Sequence, residues 1–302
     1  MQYKWIADLY TMVKKKETKA TITRSKQPVI RTRTLKKSAE SSDGMTRFLL
    51  DQMKSIRLVL NKFSKTKDPA LMHPLRVSIK KIRALHLMLR HYGNKEPSIK
   101  GLLKIFRRAG KIRELHVLRT HNRIHTQISK HVISLLEKIE ERQIEKCLIK
   151  LPAYLSQISK IEKAFQKRKL AKAPVDFHPF FQDQLLAAQK DLASEKRDRI
   201  HKLRKRIKRI SYLSENFPEI RHSFSKKELD LLRSLQKKIG DWHDVYHSLI
   251  ILDPYAKDPL LRKKFDSLQS REEVRFRSLL LTLKGKQFMA LLSRINKTKG
   301  AI

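Results

Sequence analysis

The stretch His73-Pro-Leu-Arg-Val-Ser-Ile-Lys-Lys-Ile-Arg83 recurs later in the chain as His201-Lys-Leu-Arg-Lys-Arg-Ile-Lys-Arg-Ile-Ser211. Both copies fit the pattern His-x-Leu-Arg-x-x-Ile-Lys-(Lys/Arg)-Ile. On an α-helix, which turns by about 100° per residue, the basic residues of the first copy fall within a stripe roughly 80° wide: His73, Arg76, Lys80 and Arg83. The apolar residues fall on the opposite side. The stretch therefore predicts an amphipathic helix whose polar face is cationic throughout.

The second copy repeats this stripe with His201, Arg204 and Lys208, and Arg197, one turn earlier, extends it. Like charges aligned on one helix face repel each other. A stripe of this kind that the chain builds twice indicates an anionic partner.

The composition supports an anionic partner for the whole chain. The 302 residues include 70 Lys and Arg against 29 Asp and Glu, which gives a net charge of +41. Such an excess indicates affinity for polyanions such as nucleic acid, polyphosphate or an acidic membrane surface. The chain is also 40% hydrophobic, so it can bury a sizeable core and is not merely a disordered basic tail.

Seven glycines and recurrent apolar positions at helical spacing predict an all-α fold. The single Cys147 excludes an intramolecular disulfide and fits a reducing compartment. No apolar run is long enough to span a membrane, and we find no signal peptide at the start. We therefore expect a cytoplasmic protein without a membrane span.

A second landmark repeats in the same order as the first. Arg107-Arg-Ala-Gly-Lys-Ile-Arg-Glu114 matches Lys237-Lys-Ile-Gly-Asp-Trp-His-Asp244. Gly110 follows His73 by 37 residues, and Gly240 follows His201 by 39. Two features at nearly equal spacing indicate duplication of a helical unit of about 130 residues. Four helices per unit predict two four-helix bundles related by pseudo-twofold symmetry.

These residues resemble the CHAD domain, the conserved histidine α-helical domain, over about residues 43–285. The resemblance rests on both copies of His-x-x-Arg-x-x-x-Lys and on the glycine landmark that follows each. It implies two helical bundles around a central basic groove or pore, and binding of inorganic polyphosphate in association with polyphosphate granules. By this likeness the groove would be lined by His73, Arg76, Lys80, Arg83, His201, Arg204 and Lys208.

Two departures from the pattern lie in the second copy. Ser211 replaces its last basic residue, and His243 stands where the first half has Arg113. We expect the half that contains Arg83 and Arg113 to bind more tightly. Arg113-Glu114 and His243-Asp244 are interpreted as ion-pair networks at helix ends. Three further cations either continue the track or are surface residues: Arg107, Lys111 and Lys237.

The resemblance predicts three parts. Residues 1–42 form a basic, flexible N-terminal segment; residues 43–285 form the domain; residues 286–302 form a C-terminal tail. Within the domain, a first half at 43–171 and a second half at 180–285 are joined by a proline-containing linker at 172–179.

The chemistry that we expect is binding without catalysis. The sequence contains no phosphate-binding glycine loop and no serine elbow, and the cationic stripe lacks carboxylates that could hold a metal against a phosphate chain. Two histidine pairs at i, i+4 spacing, His121/His125 and His243/His247, lack a His-Glu-x-x-His frame, so we expect neither a metal site nor a cofactor. Two alternatives stay open. One is a nucleic-acid-binding protein, with non-specific nucleic acid as partner. The other is a phosphotransfer or hydrolase enzyme that acts on polyphosphate.

Overall fold

The structure is a computed structural model, and it describes residues 42–93, 96–120, 130–167, 177–255 and 259–297. These residues form α-helices joined by turns and short 3₁₀ segments, with no strand among them. The all-α prediction is confirmed. The predicted basic segment at 1–42 lies outside the described residues apart from Ser42, and so does most of the predicted linker at 172–179.

The first half contains five helices: α1 (Ser42–Thr66), α2 (Met72–His91), α3 (Lys100–Thr120), α4 (Lys130–Ile149) and α5 (Leu151–Lys167). The start of α2 is fixed by a 3₁₀ turn, Pro69–Leu71, whose Ala70 amide donates to the Asp68 carboxylate at 2.9 Å. The helix ends just before Gly93, whose φ of +76° is the left-handed conformation that glycine adopts without strain.

The second half contains α6 (His178–Ala193), α7 (Arg197–Asn216), the short α8 (Pro218–Arg221), α9 (Lys226–Leu252), α10 (Pro259–Leu283) and α11 (Lys286–Lys297). Helix α7 ends at an extended Phe217 because Pro218 follows. Helix α9 begins with a capping box, in which Ser225 and Glu228 each accept a hydrogen bond from the other's backbone amide.

Both halves pack their helices in the same pattern. Helix α2 lies against α1 and α3, α4 packs on α3, and α5 packs on both α1 and α3. Likewise α7 lies against α6 and α9, α10 packs on α9, and α11 packs on α6 and α9. Among the described residues, the first half thus has five helices and the second has six, counting the short α8, where the duplication predicts four per unit. The pseudo-twofold relationship itself stays a prediction.

The residues at 286–297, in the segment that the sequence predicts to be a short helix and a tail, form a helix. Phe288, Leu291 and Leu292 are spaced by three and four residues, and all three are buried. This spacing gives α11 an apolar stripe that covers α6 and α9. The end of the chain described by the structure is therefore part of the core.

Helices α2 and α7 join the two halves by packing against each other. Each buries its apolar stripe, including Leu75, Ile79 and Ile82 from α2 and Leu203 and Ile207 from α7. The cationic stripes that share these helices are therefore brought to the boundary between the halves.

Candidate anion-binding site

The boundary between α2 and α7 gathers cations from three helices. Arg76 and Lys80 come from α2, Arg204 and Lys208 from α7, and Arg113 from α3. We call these five residues the groove cluster. Each of the other four lowers the pKa of Lys80, which places their charges close enough to repel its ammonium group. The two stripes predicted from the sequence thus meet in one site.

The repulsion within the groove cluster changes the protonation of its lysines. Burial lowers the pKa of Lys80 to about 6, and Lys208, Arg76, Arg204 and Arg113 contribute to this shift. Burial, with Arg204 and Arg113, lowers the pKa of Lys208 to about 8. At neutral pH Lys80 is therefore largely uncharged until an anion compensates the positive charge around it.

Arg76 is held in a fixed position by α3. Its Nη1 donates to the backbone carbonyl of Phe106 at 2.8 Å, and its Cζ lies 4.0 Å from the centre of the Phe106 ring. A Cβ atom added to Gly110 would stand 2.2 Å from the same Nη1. Gly110 therefore provides the space in which the Arg76 guanidinium lies.

Arg204 has the same relationship to Gly240 in the second half. A Cβ atom on Gly240 would stand 3.2 Å from Arg204 Nη2. Arg204 Nε is buried and has no hydrogen-bond partner among the described residues. Buried donors are nearly always satisfied in folded proteins, so this nitrogen is available to an acceptor that enters the site.

His73 joins the groove cluster through Arg113. Arg113 Nε donates to His73 Nδ1 at 3.3 Å. Burial, then the charges of Arg113 and Lys80, lower the pKa of His73 to about 4. Arg113, interpreted from the sequence as part of a helix-ending network with Glu114, lies instead beside the predicted histidine.

In the second half three histidines take the corresponding place. The His201 and His243 rings stack with centres 4.3 Å apart, and the His243 and His247 rings lie 4.1 Å apart. Burial is the main cause that lowers the pKa of His201 to about 2 and of His247 to about 3. The pKa of His243 is lowered by burial as well. Because burial lowers the pKa of all three rings, His243 carries less positive charge at neutral pH than Arg113 does at the corresponding place in the first half.

Two carboxylates lie near the groove cluster, and their pKa values are shifted in opposite directions. Burial raises the pKa of Glu114. Burial also opposes the charge of Asp244, but His243 and the charges of Arg113 and Arg204 outweigh it and lower the pKa of Asp244. The ionised Asp244 partly compensates Arg204, which further weakens the positive field of the second half.

The sequence pattern missed two cations that extend the site. The pKa of Lys205 is lowered by burial and then by Arg83, and burial lowers the pKa of Arg209 to about 10, with Arg206 and Arg83 contributing. These shifts place Lys205 and Arg209 near the exposed Arg83, across the boundary between the halves. They follow His201 by four and eight residues, which is the signal that could have identified them.

Three predicted residues lie away from the groove cluster on other faces. Arg107 and Lys111 share a face of α3 with Lys104 and Arg108, whereas Phe106, Gly110 and Arg113 share the face toward α2. Lys237 is exposed on α9. The charges that act on His73, Lys80 and Lys208 include none of these three residues.

Arg197, also predicted to bind the ligand, is paired within the protein. It donates to both carboxylate oxygens of Glu272 at 3.0 Å and also pairs with Glu273. Its Cζ lies 4.6 Å from the centre of the Phe276 ring. Glu272 is 3% exposed and accepts a second bond from Trp242 Nε1 at 2.7 Å. The charge of Arg197 thus serves a buried network that ties α7 to α9 and α10.

Ser211, which replaces a basic residue in the second copy, is buried. Its hydroxyl donates to the Ile207 carbonyl at 3.2 Å and accepts from Gln236 on α9. Ser211 thus faces α9, and the cationic stripe of the second copy ends at Lys208. The described residues contain no group of three or more His, Cys, Asp or Glu side chains that could hold a metal ion.

Comparisons with known proteins identify the family and the fold. The family model "CHAD domain" matches residues 49–253. A crystal structure of the CHAD domain from the plant Ricinus communis is similar in fold, with a TM-score of 0.62 and 17% sequence identity, over 90% of this chain and 97% of that one. No curated protein matches the chain. In the part of the chain that the structure describes, every helix is too short or too polar to cross a bilayer.

Proposed function

Because the chain belongs to the CHAD domain family, we propose that it binds inorganic polyphosphate in the groove between α2 and α7. It acts as a binding protein without catalysis, associated with polyphosphate granules in the cytoplasm. The observation that carries the proposal is the meeting of five cations from three helices, where the charges of the other four add to the burial that lowers the pKa of Lys80.

The chemistry of the groove cluster suits a linear phosphate polymer. Such a ligand carries roughly one charge per phosphate and no apolar face, so it needs donors along a track. Arginine contributes two parallel donors, and lysine contributes a mobile charge. Arg76 and Arg204 are placed by Gly110 and Gly240 before any ligand binds. Preorganised donors lose less conformational entropy on binding.

The ligand also relieves the electrostatic repulsion that the folded protein contains between α2 and α7. The cations of the groove cluster repel one another, and their charges add to burial, which is the main cause that lowers the pKa of Lys80. A polyanion between α2 and α7 removes this repulsion and lets Lys80 take up a proton. Each exposed contact contributes about 1 kcal/mol or less, but several together, with release of counterions, give tight and salt-dependent binding.

The experiment that tests this function is calorimetric titration of defined-length polyphosphate, followed by competition. We expect duplex DNA or RNA at equal phosphate concentration and physiological salt to leave most of the polyphosphate bound. Phe106 lies beside the groove cluster, and the guanidinium of Arg76 stacks over one face of its ring. That face is therefore already occupied and does not accept a stacked base. Displacement by nucleic acid would favour the alternative function of a nucleic-acid-binding protein.

Binding without catalysis has its own test. We expect polyphosphate incubated with the protein and Mg²⁺ or Mn²⁺ to keep its chain length on a gel. Shortened chains that depend on protein concentration would show an enzyme that acts on polyphosphate.

A further inference from the structure

A second basic site lies between α3 and α5, on a different face of α3 from the groove cluster. A cavity of about 630 Å³ opens there, within the range of about 300–1,000 Å³ that small-molecule sites occupy. Five cations line it: Lys104, Arg107, Arg108 and Lys111 from α3, and Lys150 just before α5. Among the described residues that line this cavity there is no Asp or Glu. We call it the α3–α5 cavity.

The spacing of the four α3 cations explains why they converge. Residues 104, 107, 108 and 111 are separated by three, four and seven positions, so they project from one helix face. Arg108 is held in place, since its Nη1 donates to the buried Gln143 Oε1 at 2.7 Å. Buried Tyr154 and exposed Ala153 supply an uncharged wall on the α5 side. The donors are thus arranged around a concave space.

The corresponding concavity in the second half shows that the fold does not need these charges. Helix α11 packs on α9 there as α5 packs on α3. Counting from Gly240 as from Gly110, Ser234 takes the place of Lys104, and Asp241 that of Lys111. That concavity is smaller, about 260 Å³, and its only charged lining residues among those described are Lys238 and Lys286. The cations of the α3–α5 cavity therefore serve something other than packing.

We propose that the α3–α5 cavity is a second, independent site for a compact anion that carries several phosphate groups. Phosphate oxygens match the forked donors of Arg107 and Arg108, and the lysines supply charge for a ligand with more than one phosphate. The pKa of Lys111, lowered by burial and by Arg108 and Lys146, is consistent with a site where positive charge exceeds negative charge. The ligand differs from a long polymer, because a concave cavity of about 630 Å³ fits a short anion, whereas a track of cations along two helices fits a chain.

Inorganic tripolyphosphate is the probe for the test, titrated by calorimetry into the full chain at about 0.15 M salt, where weak surface association is screened. Lys104→Gln/Lys111→Gln removes two cavity lysines. Lys238→Gln/Lys286→Gln removes the two lysines of the second-half concavity and is the matched control. Lys80→Gln/Lys208→Gln removes the lysines of the groove cluster. Thermal unfolding of each variant verifies that it is folded.

We expect two tripolyphosphate sites in the wild type, with one lost in Lys104→Gln/Lys111→Gln and none lost in the matched control. Unchanged stoichiometry in the cavity variant would overturn the proposal, and so would an equal loss in the control. The groove variant separates the two proposals. If the groove variant binds as the wild type does while the cavity variant loses all binding, the α3–α5 cavity is a phosphate site and the groove is not.

Discussion

The Arg76 guanidinium lies where a side chain on Gly110 would otherwise be, with Nη1 2.2 Å from the position of a Cβ atom on that glycine. Arg204 stands in the same relationship to Gly240 at 3.2 Å. The glycine landmarks that repeat in the sequence thus have one physical purpose. They let a helix pass close enough to an arginine of the motif helix to fix its direction.

Substitution of these glycines by alanine should lower polyphosphate affinity while leaving the free energy of unfolding nearly unchanged. Alanine in a helix is more stable than glycine by about 0.5–1 kcal/mol. Gly110→Ala must displace the Arg76 guanidinium and its hydrogen bond to Phe106. Because the loss of this bond offsets the gain in helix stability, we expect a free energy of unfolding close to that of the wild type. We expect polyphosphate affinity to be lower by about 10-fold, or 1.4 kcal/mol. Gly240→Ala displaces Arg204 less and should weaken binding by about threefold or less. Urea unfolding and calorimetry measure the two effects.

Equal losses of affinity in the two alanine variants would contradict this account. So would a Gly110→Ala protein that binds as tightly as the wild type, because the position of Arg76 would then be irrelevant to the ligand.

The two halves should contribute unequally to binding. Arg113 is charged and donates to His73, whereas His243 at the corresponding place stacks between two neutral rings and Asp244 offsets part of the charge of Arg204. We expect Arg113→Gln to lower polyphosphate affinity by about 5-fold or more at neutral pH, and His243→Gln by less than about twofold. Parallel calorimetric titrations of the two variants test this order, and a larger loss in His243→Gln would reverse the assignment.

Stability and binding should both depend on the histidines of the site. The pKa values of His73 and His201 in the folded protein, about 4 and about 2, lie below the ordinary value of 6.5. Below pH 6.5 the unfolded chain therefore binds more protons than the folded protein, and the free energy of unfolding falls as the pH falls. A bound polyanion raises both pKa values, so binding takes up protons and tightens as the pH falls below about 6.5.

The double variant His73→Gln/His201→Gln should reduce both dependences, and His131→Gln, at an exposed position on α4, is the control. A remainder is expected, because Lys80, His243 and His247 also have lowered pKa values. Denaturant unfolding and titrations between about pH 5 and 8 provide the curves. A pH dependence of affinity in the double variant as steep as that of the wild type would remove these two histidines from the ligand's surroundings.

Arg197 should matter for folding more than for binding. Its removal leaves Glu272, which is 3% exposed, without a charge partner. Breaking a fully buried pair costs about 3–5 kcal/mol, and since the Arg197 side chain is 34% exposed we expect about 2 kcal/mol for Arg197→Met. Thermal or urea unfolding measures this loss, with Arg277→Met, on the surface of α10, as the control. The polyphosphate affinity of Arg197→Met should stay within about twofold of that of the wild type. A loss of affinity as large as that of an Arg204 variant would show that Arg197 contacts the ligand.

The sequence predicts most of the fold because helical periodicity is a local signal. The sequence predicts the two motif helices at about 68–92 and 195–216, and α2 and α7 occupy 72–91 and 197–216. The helix at 286–297 has an apolar stripe only three or four residues long, so its place in the core is shown only by its tertiary contacts with α6 and α9.

Within the site, residues on a repeated motif were predictable and residues that depend on packing were not. The proximity of Lys80 to Lys208 and Arg204 was predictable, since all three belong to the repeated motif. The pairing of Arg197 with Glu272, 75 residues away, and the turning of Arg107 and Lys111 toward α5 depend on which neighbour each helix face meets. A helical stripe gives the direction of a side chain but not the partner on that side.

The central claim is that the lysines gathered between α2 and α7 bind polyphosphate because of their position and not only because the chain is basic. Lys80→Gln/Lys208→Gln removes the two lysines of the groove cluster, and Lys62→Gln/Lys65→Gln removes two exposed lysines of α1. Calorimetric titration of polyphosphate at several salt concentrations compares them directly. We predict that the groove variant loses about 10-fold or more in affinity at about 0.15 M salt and about one to two units of salt slope, while the α1 variant stays within about twofold of the wild type. Equal losses in the two variants would contradict the account, since binding would then follow net charge alone.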